Sequence, residues 1–130
     1  MSAGRSVISV FVLAGLAMAQ EGVDRFTSSP TEHIIDEIDH PFVVRSVRGI
    51  VTFGGPVVDA LFEIQGPGVD KRIRHAIADK DGRFRIRHVP QGDYGFKVTY
   101  HGLRSVMGRI TVTKHASEAE QIAIEMQAGV

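Results

Sequence analysis

From Phe42 onward, apolar and polar residues alternate with a period of two, and glycine, proline and aspartate break that rhythm at intervals of about eight to twelve residues. A period of two puts alternate side chains on opposite faces of a pleated strand, whereas a helix face repeats at three and four. The pattern therefore predicts strands with one buried face and excludes a helical core. Val43 to Phe53 is the first, ended by Gly54-Gly55-Pro56, whose residues supply positive φ or remove a backbone donor. Ala60, Phe62 and Ile64 then alternate against Leu61, Glu63 and Gln65 as far as Gly66-Pro67-Gly68. Arg72 to Ala78, Arg83 to His88, Tyr94 to Tyr100, Arg104 to Thr113 and Gln121 to Gln127 complete seven strands, with Ile122, Ile124 and Met126 facing inward on the last. Seven short strands separated by regular turns predict an all-β, seven-stranded antiparallel-type β-sandwich.

Composition narrows the classes of partner. A chain of 130 residues with 43% apolar residues is one domain with enough material for a core. Fifteen basic residues balance 15 acidic ones, so no long-range field draws the chain to nucleic acid or to an anionic membrane, and any polyanion binding must be local. There is no cysteine, which excludes disulfides, thiolate metal sites and a thiol nucleophile.

Residues 1–19 read as a signal peptide: Arg5 gives a positive start, Val7 to Ala19 is apolar or small, and Ala17-Met18-Ala19 offers a cleavage site. That stretch of 13 residues spans about 20 Å as a helix, short of the ~30 Å hydrocarbon core, so the expectation is cleavage after Ala19 and a secreted or periplasmic product with no stable membrane span. Residues 20–41, rich in Ser, Thr, Pro and acidic side chains, read as a linker. Within it Ser29-Pro30-Thr31-Glu32 has the form of a capping box and predicts a short helix carrying Ile34, Ile35 and Ile38 on one face. Residues 42–130 form the sandwich domain.

No catalytic or metal constellation emerges. His33, Asp36, Glu37 and His40 read as solvated charges of the linker rather than metal ligands, and Ser105 near His101 and His115 lacks the nucleophile turn and orienting carboxylate of a hydrolase. Asp79 and Asp81 in Asp79-Lys80-Asp81-Gly82 are explained by a turn, because a calcium loop needs further ligands. No cofactor is expected. A tight hairpin at that turn would set Ala78 opposite Arg83, Ala76 opposite Arg85 and Arg74 opposite Arg87. Arg72, Arg74, Arg83, Arg85 and Arg87 would then form one basic strip, with Ile73, Ile77, Phe84 and Ile86 on the core face beside His75 and His88. Such a strip is neutralised by local acid (Glu63, Glu118 and Glu120) and solvent, or serves an anionic ligand through bidentate arginine contacts.

The order Gly49-x-Val51, Gly55-Pro56-Val57-Val58-Asp59-Ala60, Ala78-Asp79-Lys80-Asp81-Gly82-Arg83-Phe84 and Val89-Pro90-x-Gly92-x-Tyr94 resembles the carboxypeptidase regulatory-like domain, over about residues 43 to 127. The resemblance implies a transthyretin-like, prealbumin or Ig-like sandwich, related to carbohydrate-binding folds, and a non-catalytic accessory module. Transthyretin-like hydrolases end in Tyr-Arg-Gly-Ser, and this chain ends Met126-Gln127-Ala128-Gly129-Val130. The expectation is a secreted module for protein interaction or for structural and adhesive roles, contacting its partner at an uncovered edge strand. The alternative is a carbohydrate-binding module that holds acidic polysaccharide on the arginines. Absence of Trp, with Tyr94 and Tyr100 expected inward, favours the protein partner.

Overall fold

Residues 25–29, 32, 34–66 and 72–129 are described by the computed structural model. The expected signal peptide and its cleavage point lie outside them, as do Pro30, Thr31 and His33. Among the described residues there are nine strands: β1 (Ile35–Glu37), β2 (Phe42–Val44), β3 (Val47–Thr52), β4 (Leu61–Gln65), β5 (Ile73–Ile77), β6 (Arg83–Ile86), β7 (Gly92–Thr99), β8 (Ser105–Val112) and β9 (Ile122–Glu125). A three-stranded sheet has the order β9-β3-β6, and a six-stranded sheet has the order β1-β8-β7-β4-β5 with β2 also on β8.

The sandwich is as expected, but nine strands are described where seven were expected, and the pairing is not purely antiparallel. β9 runs parallel to β3, and β1 and β2 run parallel to β8, so both sheets are mixed. The expected first strand is two strands in different sheets: β2 ends at Val44, the chain bends at Arg45-Ser46, and β3 starts at Val47. Val44 and Val47 are 1% and 0% exposed, so this crossing closes one side of the core with apolar bulk on both its arms.

Aromatic stacking joins the layers. Phe84 of β6 stacks on Phe62 of β4, ring centroids 4.0 Å apart, and Phe62 packs on Phe96 at 5.6 Å. Around them Val51, Ile64, Val98, Ile110, Ile122, Ile124 and Met126 are buried to 2% exposure or less, each contributing about 1.5–3 kcal/mol through apolar burial.

The expected short helix does not form. Glu32 N–H donates to the Ser29 carbonyl at 3.0 Å and Ser29 N–H to Glu32 Oε1 at 3.4 Å, which realises the local capping contacts. Beyond them, however, the chain is extended as β1, then β2, on the edge of β8. Parallel pairing satisfies backbone groups that β8 would otherwise leave bare, and Ile38 packs on the core while Ile34 and Ile35 stay exposed. Upstream, Thr27 reaches Glu63 on β4 and Glu32 reaches Lys97 on β7, so these described residues of the segment read as a linker lie on the outer face of the larger sheet.

Candidate functional site

The five arginines expected on one strip are divided between two sheets: Arg74 is in β5 with Arg72 just before it, and Arg83 and Arg85 are in β6 with Arg87 just after it. β5 pairs with β4, setting Arg74 opposite Ile64 and Ala76 opposite Phe62, whereas β6 pairs with β3, setting Arg83 opposite Ile50 and Arg85 opposite Arg48. The expected β5–β6 hairpin is therefore absent, and the Asp79–Gly82 turn carries the chain from one sheet to the other. Ala78 N–H still bonds the Ala60 carbonyl on the β4 side, while Gly82 already accepts from Val51 of β3. Pairing with β4 also reverses the expected faces of β5. Arg74, Ala76 and Ala78 turn toward the core side, where the phenylalanine stack leaves room for alanines, and Ile77 is 52% exposed.

The turn itself is as expected. Asp79 Oδ1 accepts from Asp81 N–H at 2.8 Å and Arg83 N–H at 3.0 Å, and these two backbone donors, Arg83 first, hold its carboxyl below the usual range. Because the Asp79 N–H in turn bonds the Arg83 carbonyl, and Arg74 from β5 bonds the Arg87 carbonyl, the outer edge of β6 is closed near both ends. That leaves little of it for a partner strand.

What remains is a basic face on the three-stranded sheet. Arg83 and Arg85 point outward from β6 and Arg87 follows them, exposed, with alternate residues about 7 Å apart. Arg48 adds a fourth cation directly opposite Arg85, and Arg45 stands beside it at the bend. Arg45 and Arg48 escaped the sequence analysis. For Arg48 the signal was the alternation of β3, which turns Arg48, Ile50 and Thr52 outward, whereas Arg45 lies at the bend before β3 and has no such mark. Glu118 anchors both: its carboxylate pairs with Arg45 at 2.7 Å and its carbonyl accepts from Arg48. Arg85 and Arg87 have no carboxylate partner among the described residues. A shallow hollow of about 350 Å³ opens between Arg45, Ser46, Arg85, Arg87 and His88.

Arg72 and Arg74 instead border a separate cleft at the open end of the sandwich, with Ile64, Pro90, Gln91 and Tyr94. Tyr94 is half-buried as expected, its hydroxyl donating to the Pro90 carbonyl at 2.7 Å. Tyr100, expected inward, is 39% exposed because β7 ends at Thr99.

Beneath the N-terminal segment lies a buried polar layer that alternation alone assigned to solvent. Lys97 is 4% exposed and its ammonium sits 2.9 Å from Glu32 Oε1. Ser105, fully buried, donates to the same carboxylate at 2.6 Å. Glu63, opposite Lys97 on β4, accepts from both the N–H and the hydroxyl of Thr27. Ser105 is thus spent on Glu32 and is not presented to solvent as a nucleophile. Desolvation raises the Glu32 carboxyl, but hydrogen bonds from Ser105, Lys97 and Ser29 outweigh it, and the net position is below the ordinary value of 4.5. A carboxylate depressed in the folded state contributes stability that is present above pH 4.5 and lost as pH falls through its folded value. We therefore expect the urea midpoint to drop on acidification below pH 4.5, and a Glu32→Gln variant to show a smaller drop. Equal slopes for the two proteins would place the acid sensitivity elsewhere.

Among the described residues no group of three His, Asp or Glu side chains could hold a metal ion, and no helix is long and apolar enough to cross a membrane.

No protein-family model matches the chain, and no curated protein matches it. Among solved structures it is similar to a chain of a type II cohesin–X-dockerin complex, a C-terminal interface mutant, from Acetivibrio cellulolyticus: 21% identity over 64% of this chain and 57% of that one, TM-score 0.43. It is also similar to 3-chlorocatechol 1,2-dioxygenase from Rhodococcus opacus 1CP, with 13% identity over 88% and 78% of the two chains and a TM-score of 0.46. The chain spans little more than half the length of the first of these. Its own strand order and core establish what it is at this level, a mixed β-sandwich.

Proposed function

We propose that this chain is an exported, non-catalytic binding module, of the kind that its motif order resembles in carboxypeptidase regulatory-like domains. Its partner is a protein with an acidic segment, held on the arginine face of the three-stranded sheet. One observation carries this reading: Arg48 and Arg85 stand directly opposite each other on an exposed face, and neither Arg85 nor Arg87 meets a carboxylate among the described residues. Like charges opposed across a ladder cost about 0.2–1 kcal/mol, a cost that a bound anion removes. Guanidinium forks spaced about 7 Å apart suit the alternate carboxylates of an extended acidic peptide.

The other outward residues of that face, Ile50, Thr52, Ala123 and Glu125, include no aromatic ring on which a sugar would stack. Export rests on the reading of residues 1–19. The test is binding of the chain from Gln20 onward to acidic peptides and to an array of acidic polysaccharides, at low and high salt. Peptide binding that weakens with salt and falls at least tenfold in an Arg85→Ala/Arg87→Ala variant is the expected result. Binding confined to polysaccharides would transfer the face to the carbohydrate reading. Peptide binding unaffected by the double substitution would remove the face from consideration.

A further inference from the structure

His88 follows β6 with φ 59°, a left-handed conformation that costs a non-glycine residue about 1 kcal/mol or more. In a regular strand, successive carbonyls point to opposite sides. Here the carbonyls of Arg87 and His88 both accept from the guanidinium of Arg74, the second at 3.2 Å, so the break at His88 turns two consecutive oxygens toward one side chain from the other sheet. Arg74 is thereby clamped, but only by neutral groups, and no carboxylate pairs with it among the described residues. Of its five N–H donors, the clamp occupies two.

Beside this fixed cation opens the cleft, about 650 Å³ in volume. Ile64, 1% exposed, forms its base, Pro90 and the tethered Tyr94 supply further apolar surface, and Gln91 and His88 add polar groups. The volume falls in the range of small-ligand sites, and a cation whose rotamer is already fixed loses little entropy when an anion docks.

We propose that this cleft binds an amphipathic carboxylate, with the apolar group against Ile64, Pro90 and Tyr94 and the carboxylate on the free donors of Arg74. The cleft adjoins the arginine face at His88, but its cation is Arg74, whereas the face presents the side chains of Arg85 and Arg87. Two sources carry this chemistry, a free small acid and the C-terminus of a polypeptide that ends in an apolar residue.

The experiment is an amide-resolved NMR titration of the chain from Gln20 onward with phenylacetate, and with 2-phenylethanol as its uncharged counterpart. Expected are saturable shifts at Gly66, Gln91 and Tyr94 with phenylacetate, at least tenfold weaker binding of the alcohol, and loss of phenylacetate binding in Arg74→Met. Arg85→Ala/Arg87→Ala should bind phenylacetate like the parent, which separates this site from the reading above. A short peptide ending in Phe, compared with its C-terminal amide, then identifies the source: binding of the acid form alone points to a chain terminus, and binding of phenylacetate without the peptide points to a free acid. Equal affinity for phenylacetate and phenylethanol would overturn the proposal without recourse to any variant, as would the absence of saturable shifts at the cleft.

Discussion

Gly49→Ala should lower the stability of the domain by about 3 kcal/mol or more, the upper part of the range for overpacked cores. Gly49 lies in the central strand of the smaller sheet, between Ile122 of β9 and Phe84 of β6. A Cβ there would stand 1.9 Å from the Ile122 carbonyl oxygen and 2.8 Å from the Phe84 ring. The first obstacle is paired backbone, which moves only by opening the ladder, and the second is a ring stacked on Phe62. Thermal unfolding should fall by roughly 15 °C on the usual scaling for a small domain. Gly95→Ala is the control: it lies in β7, nothing stands within 4 Å of its added methyl, and its stability should change by less than about 1 kcal/mol. Similar melting temperatures for the two variants would refute the packing argument.

Lys97→Ala is the second large effect, with an expected loss of about 3 kcal/mol. Its ammonium is enclosed between Glu32 and the strand that carries Glu63, and removing one member of a buried ion pair leaves the other uncompensated, at a cost of about 3–5 kcal/mol. The lower end is expected here because release of Glu32 once Lys97 is gone would return its carboxylate to water. Faster proteolysis between Arg25 and Glu37 should therefore accompany the loss. Lys97→Met combined with Glu32→Gln removes both charges, keeps most of the packing, and should recover at least half of the stability. Urea unfolding of the single and double variants measures the coupling. A loss below about 1 kcal/mol for Lys97→Ala would mean that the pair behaves as a surface contact.

Much of this molecule is legible in its sequence. The alternation of Ala60, Phe62 and Ile64, and of Ile122, Ile124 and Met126, named residues that are indeed buried, because the side-chain period of a strand is independent of its neighbours. The turn at Asp79–Gly82 was equally local: a short acidic side chain bonding its own following backbone needs nothing from the rest of the fold.

Tertiary structure decided which strand each of these segments would meet. A two-residue period cannot say whether a chain leaving a turn pairs with the strand before it or crosses to the opposite sheet, and at Gly82 the stacking of Phe84 on Phe62 across the core accompanies the crossing. The arginines of β5 and β6 were separated for that reason, and Arg48, distant in sequence, was brought opposite Arg85. Period alone also set the wrong face of β5 toward the core, and it could not show that Glu32 covers the solvent-side Lys97. The described residues between 25 and 41 show the same limit, since the composition of residues 20–41 suits a solvated linker, and only the open edge of β8 and the polar layer of Lys97, Glu63 and Ser105 draw them onto the sheet. Local chemistry thus set most of the sandwich strands and the Asp79–Gly82 turn, whereas pairing, which depends on contacts between residues far apart in the chain, turned the expected helix into β1 and set the charged surfaces.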